Sequence, residues 1–174
     1  MNAMTRGLAA SLLALASALS LAQGSAPNDA QIAGIVVAAN TVDIEAGKLA
    51  ESAAHSKEVK EFGKRMVTDH TGVNKQAGDL AKKLNLKPEE SDTSKALKDG
   101  GKANIAKLKG LKGAAFDKAY VDNEVTYHQT VLDAIDKTLL PNAKNAELKG
   151  LLEKTRPAID AHLQHAKQIQ ASLH

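Results

Sequence analysis

The sequence predicts an all-α fold: an antiparallel four-helix bundle in which a short crossover helix joins two helical hairpins. Composition is the first reason. Ala, Leu and Lys dominate the 174 residues, prolines number four, and only 2% of residues are aromatic, a mixture that suits helices over twisted sheets. Periodicity is the second. No stretch sustains the alternation of a half-buried strand, whereas apolar residues recur at helical spacing along most of the chain. The third is punctuation, because the long helical stretches form two pairs with connections of only a few residues, which forces antiparallel neighbours. The length fits one ordinary domain.

The first segment reads as an address, separate from the fold. Arg6 is its only charge, an apolar run follows from Gly7 to Ala22, and small side chains at Ser20 and Ala22 stand where a signal peptidase reads. The run is about 16 residues, short of the roughly 20 that span a bilayer. Residues 1–22 are therefore expected to be a secretory signal peptide cleaved near Ala22, residues 23–27 a flexible leader, and 28–174 the helical domain. This places the protein in the periplasm or outside the cell, and admits a peripheral association with the outer membrane. The chain has no Cys, which removes lipid attachment after the signal, disulfide scaffolds, thiolate metal sites and cysteine nucleophiles. Cleavage takes Arg6 from a formal net charge of +3, and so small a balance implies no nucleic-acid partner. The lysine-rich stretch from Ser91 to Lys112 carries apolar residues at helical spacing and reads as a solvated helix face. A protein partner and the oligomeric state stay open.

The first helix is expected from about Asn28 to Ala53, and the second from Ser56 to about Leu86, where Lys87-Pro88 stops it. The third, from Asp92 to Leu111, has about 20 residues and spans roughly 30 Å. That carries the chain back along the bundle, the connectivity of ferritin-like bundles. The fourth runs from Gly113 to about Leu139 and stops before Pro141. The fifth runs from Asn145 to about Ser172 and is interrupted at Pro157, which frees a carbonyl and kinks it.

Helical wheels separate polar residues on the wet faces from those inside the apolar arcs. In the fourth helix Glu124 and His128, four residues apart, fall in the middle of a stripe that includes Tyr120, Val121, Val131 and Leu132. Asp117 lies on the same stripe, but in the first turn, where free amides favour a carboxylate. His70 sits at the centre of the second helix's stripe with Asp69 at its edge. His162 occupies a core position of the fifth helix, and Asp43 falls among the buried positions of the first. Depth along the helices places Asp43, His70, Glu124, His128 and His162 in one slab roughly 8 Å thick. Buried charges are costly alone, so these five should pair with one another or share a cation.

Inward His and carboxylate ligands from several helices are how bundles hold iron, manganese or zinc, and the set also suits copper. A dinuclear carboxylate site needs Glu three residues before each of two His, and Val67 and Ile159 stand there instead. Any metal is then single and His-rich. The rival reading is a hydrogen-bonded core network in a non-catalytic envelope module that works through protein partners. The sign of the metal-free pH dependence separates two environments: imidazoles buried away from carboxylates lose stability as pH falls, and imidazoles paired with Asp43 or Glu124 lose it as pH rises. A scattered surface set, His55, His165 and His174, offers only a scavenging role. No G-x-G-x-x-G, Walker loop, G-x-S-x-G or H-E-x-x-H is present, so no catalytic residue is assigned and a metal oxidase is the least favoured class.

Several runs resemble a known family: Asp43 to Ala50, Glu58 to His70 with its Arg-Met-Val-Thr-Asp-His end, Gly113 to Tyr120, Tyr127-His128, Asn145 to Lys149, and His162. Together they are similar to the bacterial "predicted outer membrane protein" family, domain of unknown function 4142, across about Asp29 to Leu173. The resemblance implies a ferritin-like helical fold and export, with His70, His128 and His162 at the family's recurrent histidine positions, and it implies no activity. Tyr127 departs from the acidic residue often found before that histidine.

Overall fold

A computed structural model describes residues 26–173, so the expected signal peptide, the first part of the leader and His174 lie outside the described residues. The described residues are helical and contain no strand. Helix α1 (Asp29–Ala53) begins at Asn28, which shares a reciprocal capping box with Gln31. Helix α2 (Lys57–Lys83) follows after a turn of three residues. It ends in a Schellman motif: Asn85 takes the left-handed conformation (φ 49°), Asn85 N–H donates to the Lys82 carbonyl and Leu86 N–H to that of Ala81. The helix therefore stops short of the expected Leu86, because the chain reverses at Asn85 before Pro88 is reached.

Helix α3 (Asp92–Lys109) starts with a second capping box, Ser91 with Ser94. Glu89 N–H donates to the Ala30 carbonyl at the start of α1, Gly101 lies against Val42 in its middle, and Leu108 joins the cluster that holds Ala50 and Ala54 at its end. Helix α3 thus runs alongside α1 in the same direction and returns the chain to the end where the second hairpin begins. Gly101 permits the close approach, since a Cβ there would meet the Val42 methyls at 2.8 Å.

Helix α4 (Gly113–Ala134) continues through a π-helical turn (Ile135–Leu139) into a last turn, α5 (Leu140–Asn142), and α6 (Ala146–Ser172) completes the hairpin. Two sequence expectations are corrected. The fourth helix does not stop before Pro141, because the widened turn, in which Leu140 N–H reaches the Ile135 carbonyl, shifts the register just ahead of the proline that has no N–H to give. Nor does Pro157 interrupt α6, which runs through it with the ring exposed.

The hairpins clasp each other at both ends of the bundle. Asp117, in the first turns of α4, accepts from the amides of His55 and Ser56 in the α1–α2 turn, at 2.8 and 2.7 Å. Asp29, in the first turn of α1, accepts from those of Lys144 and Asn145 before α6, at 2.8 and 2.9 Å. Asp117 therefore serves the turn of the other hairpin, where the sequence placed it at its own helix start.

Two apolar clusters fill the bundle. One contains Ala46, Met66, Val121 and Ala166, the other Val36, Ala77, Leu132 and Ile159. On each of the four long helices the inward polar residues fall between these markers, so a polar layer lies between two apolar cores.

Candidate metal centre

The layer contains Asn40 and Asp43 from α1, His70 from α2, Glu124 and His128 from α4, and His162 from α6, each at most 5% exposed. All five residues singled out in the sequence meet here. The Asp43 carboxylate is central, with Oδ2 2.9 Å from His70 Nε2 and 3.4 Å from His128 Nε2. The His162 ring centroid is 5.3 Å from that of His70 and 5.4 Å from that of His128. One ring nitrogen from each of the three imidazoles lies within 4.8 Å of the others, and Asp43, Glu124 and His128 form a second such group. Glu124 Oε2 is 3.5 Å from His128 Nδ1.

Hydrogen bonds on the outer side of each ring decide where its proton sits. Asn40 Nδ2 donates to the Val36 carbonyl at 2.8 Å, so its Oδ1 is an acceptor, and His70 Nδ1, 2.6 Å away, must be the N–H. His128 Nδ1 donates to the Glu124 backbone carbonyl at 3.0 Å. His162 Nε2 donates to Asp69 Oδ2 at 2.8 Å, and Arg65 Nε donates to the same oxygen at 3.3 Å. A neutral imidazole with its proton so placed leaves a bare lone pair inward, on His70 Nε2, His128 Nε2 and His162 Nδ1. None of these three atoms, and neither oxygen of Asp43, has a hydrogen-bond partner among the described residues. His70 Nε2 and Asp43 Oδ2 stand 2.9 Å apart, the distance of an ion pair when the ring is protonated.

The electrostatics keep two of the rings neutral, those of His128 and His162. Burial holds His128 below its ordinary value, Asp43 opposing, and lowers His162 to about 4 against the pull of Asp69. For Asp43, burial pushes upward, but the charge that His70 and His128 carry when protonated outweighs it and holds the carboxyl at about 2. Burial and the facing Asp43 charge push Glu124 well above its usual range, so it is a neutral acid beside an ionised one. Tyr120, fully buried, is raised well above its own range by burial and by Glu124 and Asp43, and its hydroxyl has no partner among the described residues. With His128 and His162 held neutral and Asp43 ionised, the layer turns acceptor atoms toward its centre, and the protonated Glu124 carboxyl is the donor beside Asp43.

Asn40 was missed in the sequence although it lies three residues before Asp43 on the same face, a polar side chain on an apolar arc being the available signal. Asp69, read as an edge residue, is the His162 partner. His165 is half-buried against Phe62, with ring centroids 5.2 Å apart, and His55 is exposed; neither joins the layer.

The chain matches the family described as "Domain of unknown function (DUF4142)" over residues 14–169. Comparison with curated proteins and with solved structures finds no match.

Proposed function

The chain belongs to the DUF4142 family, whose description names no activity, and from the geometry of the polar layer we propose that this protein is an exported helical bundle that holds one transition metal ion. The ligands are His70, His128, His162 and Asp43, one from each long helix. The carrying observation is the placement of the protons: every imidazole gives its N–H to an acceptor on its outer side and turns a lone pair inward, the arrangement in which second partners orient metal-binding histidines. A core network would instead bring donors to those inward atoms, and they have none among the described residues.

The distances fit an ion. Ligand atoms held at about 2.0–2.1 Å around a four-coordinate metal stand roughly 3.3 Å apart. Asp43 Oδ2 lies 2.9 and 3.4 Å from two of the ring nitrogens. Imidazole with carboxylate suits zinc, copper, iron or manganese. Bound there, the ion supplies a Lewis acid, and for iron, copper or manganese a redox centre. Glu124, neutral and facing Asp43, serves as the outer partner of that carboxylate. Export is supported by the Gly7–Ala22 run with its small residues at Ser20 and Ala22. Among the described residues no helix is long and apolar enough to cross a membrane.

Elemental analysis of mature, untagged protein tests this. Close to one equivalent of a transition metal is expected, lost in His128→Ala and in His162→Gln with helix content retained. A folded wild type that takes up no metal from its compartment or on reconstitution with each of the four ions overturns the reading.

A further inference from the structure

A cavity of about 60 Å3 adjoins the polar layer. That is room for roughly four water-sized groups, yet its wall is almost entirely carbon, from Ile35, Val36, Val73, Val131, Ile135 and Ile159 among others. Apolar space of this kind is poorly suited to water, which needs two to four polar partners. Two of those side chains carry a structural signature. Ile135 begins the π-helical turn and Leu139, also on the wall, ends it, so the widened turn forms part of the cavity. Turns of this type are frequent at functional sites. Arg156 of α6 fixes this turn from outside through Asp136, with both bonds at 2.7 Å.

The cavity meets the layer from one side. Asp43, His70 and His128 line it, whereas His162 and Glu124 do not. Thr93, Thr130 and Thr155, each half-buried, also line it. Three of the four ligands of such an ion, Asp43, His70 and His128, therefore face apolar space, and a small molecule would approach the site through it. An anion entering here would lose its hydration against carbon and face the Asp43 carboxylate.

We infer that the cavity is a binding pocket for a small uncharged apolar molecule, of the size of a diatomic gas, and that it leads this molecule to the metal site along its Asp43, His70 and His128 side. The second half rests on the metal reading above; the pocket does not. Xenon-pressurised crystals of the metal-free protein test the pocket alone, with one xenon expected in the cavity and its density lost in Val131→Phe. Where that variant does not fold, Leu97→Phe narrows the same space from α3. Iron(II)-loaded protein exposed anaerobically to nitric oxide tests the approach to the metal. The wild type is expected to give the electron paramagnetic resonance signal of an iron–nitrosyl, and the filled variant to lose it at unchanged iron content. Absence of xenon from the cavity, or an equal nitrosyl signal in the filled variant, overturns the inference while leaving the metal reading intact. Xenon in a protein that takes up no iron or other metal overturns the metal reading and the passage to it, and supports the pocket.

Discussion

Asn40 fixes which nitrogen of His70 faces inward, because its own amide is committed to the Val36 carbonyl and only its oxygen is left for the ring. Asn40→Leu leaves a buried N–H without an acceptor and is expected to destabilise the metal-free protein by about 1–3 kcal/mol. It should also weaken metal binding roughly 10–100-fold, as read from urea unfolding and from metal titration. The pH dependence has a sign that the sequence left open. Burial lowers His128 and His162, so unfolding takes up protons, and their contribution, complete above about 6.5, is lost as pH falls toward 4. Glu124 acts the other way, since its raised carboxyl contributes fully below about 4.5 and less as pH rises. Between these limits two imidazoles oppose one carboxyl. Metal-free stability should rise with pH across that window, and more steeply in Glu124→Gln, as urea midpoints at several pH values will read; a falling slope would mean charged imidazoles in the fold. Wheels and spacing were enough to bring His70, His128 and His162 inward with Asp43. They could not say which ring nitrogen carries a proton, because that is decided by outer partners on other helices or on the backbone, as with Asp69 and the Glu124 carbonyl.

The helices were legible as elements because each carries its own apolar stripe and its own stop signal, yet two ends were misread. At Asn85 a left-handed residue ends α2 early, and at Pro141 the π-helical turn lets α4 continue into α5. Both outcomes depend on backbone register, which side-chain periodicity does not record. Helix pairing has a similar local device: a Cβ on Gly63 would stand 2.8 Å from the Gly47 carbonyl oxygen, and one on Gly47 would stand 2.7 Å from that of Gly63, so α1 and α2 approach through these two positions. The clasps give a test at this scale. Asp117→Ala leaves the His55 and Ser56 amides without acceptors and is expected to cost about 1–3 kcal/mol, with Asp117→Asn, which keeps one acceptor, losing less. Equal stability of the two variants by chemical unfolding would show that water takes over both amides. The Arg156–Asp136 pair, partly exposed on both sides, should matter far less to stability.

For the molecule as a whole, a metal ligated from four helices ties both hairpins at mid-height, and binding to the folded state alone raises stability by mass action. At a free ion concentration one hundred times the dissociation constant the gain is about 2.7 kcal/mol. For a chain of this size that moves Tm upward by roughly 5–10 °C, a shift that calorimetry should show and a chelator should reverse. The topology was legible because short connections leave few ways to arrange the hairpins, and α3 is long enough to return the chain along α1. What the sequence could not show was how the halves hold each other, since Asp29 and Asp117 are ordinary first-turn acids until their distant amides are known. Turn amides usually exchange with solvent through small local openings. Here those of His55, Ser56, Lys144 and Asn145 are held by the opposite hairpin, so a turn cannot loosen without a helix start from the other half letting go. The bundle's two ends are thereby drawn into one cooperative unit, and these four amides are expected to exchange as slowly as those of the helices they join.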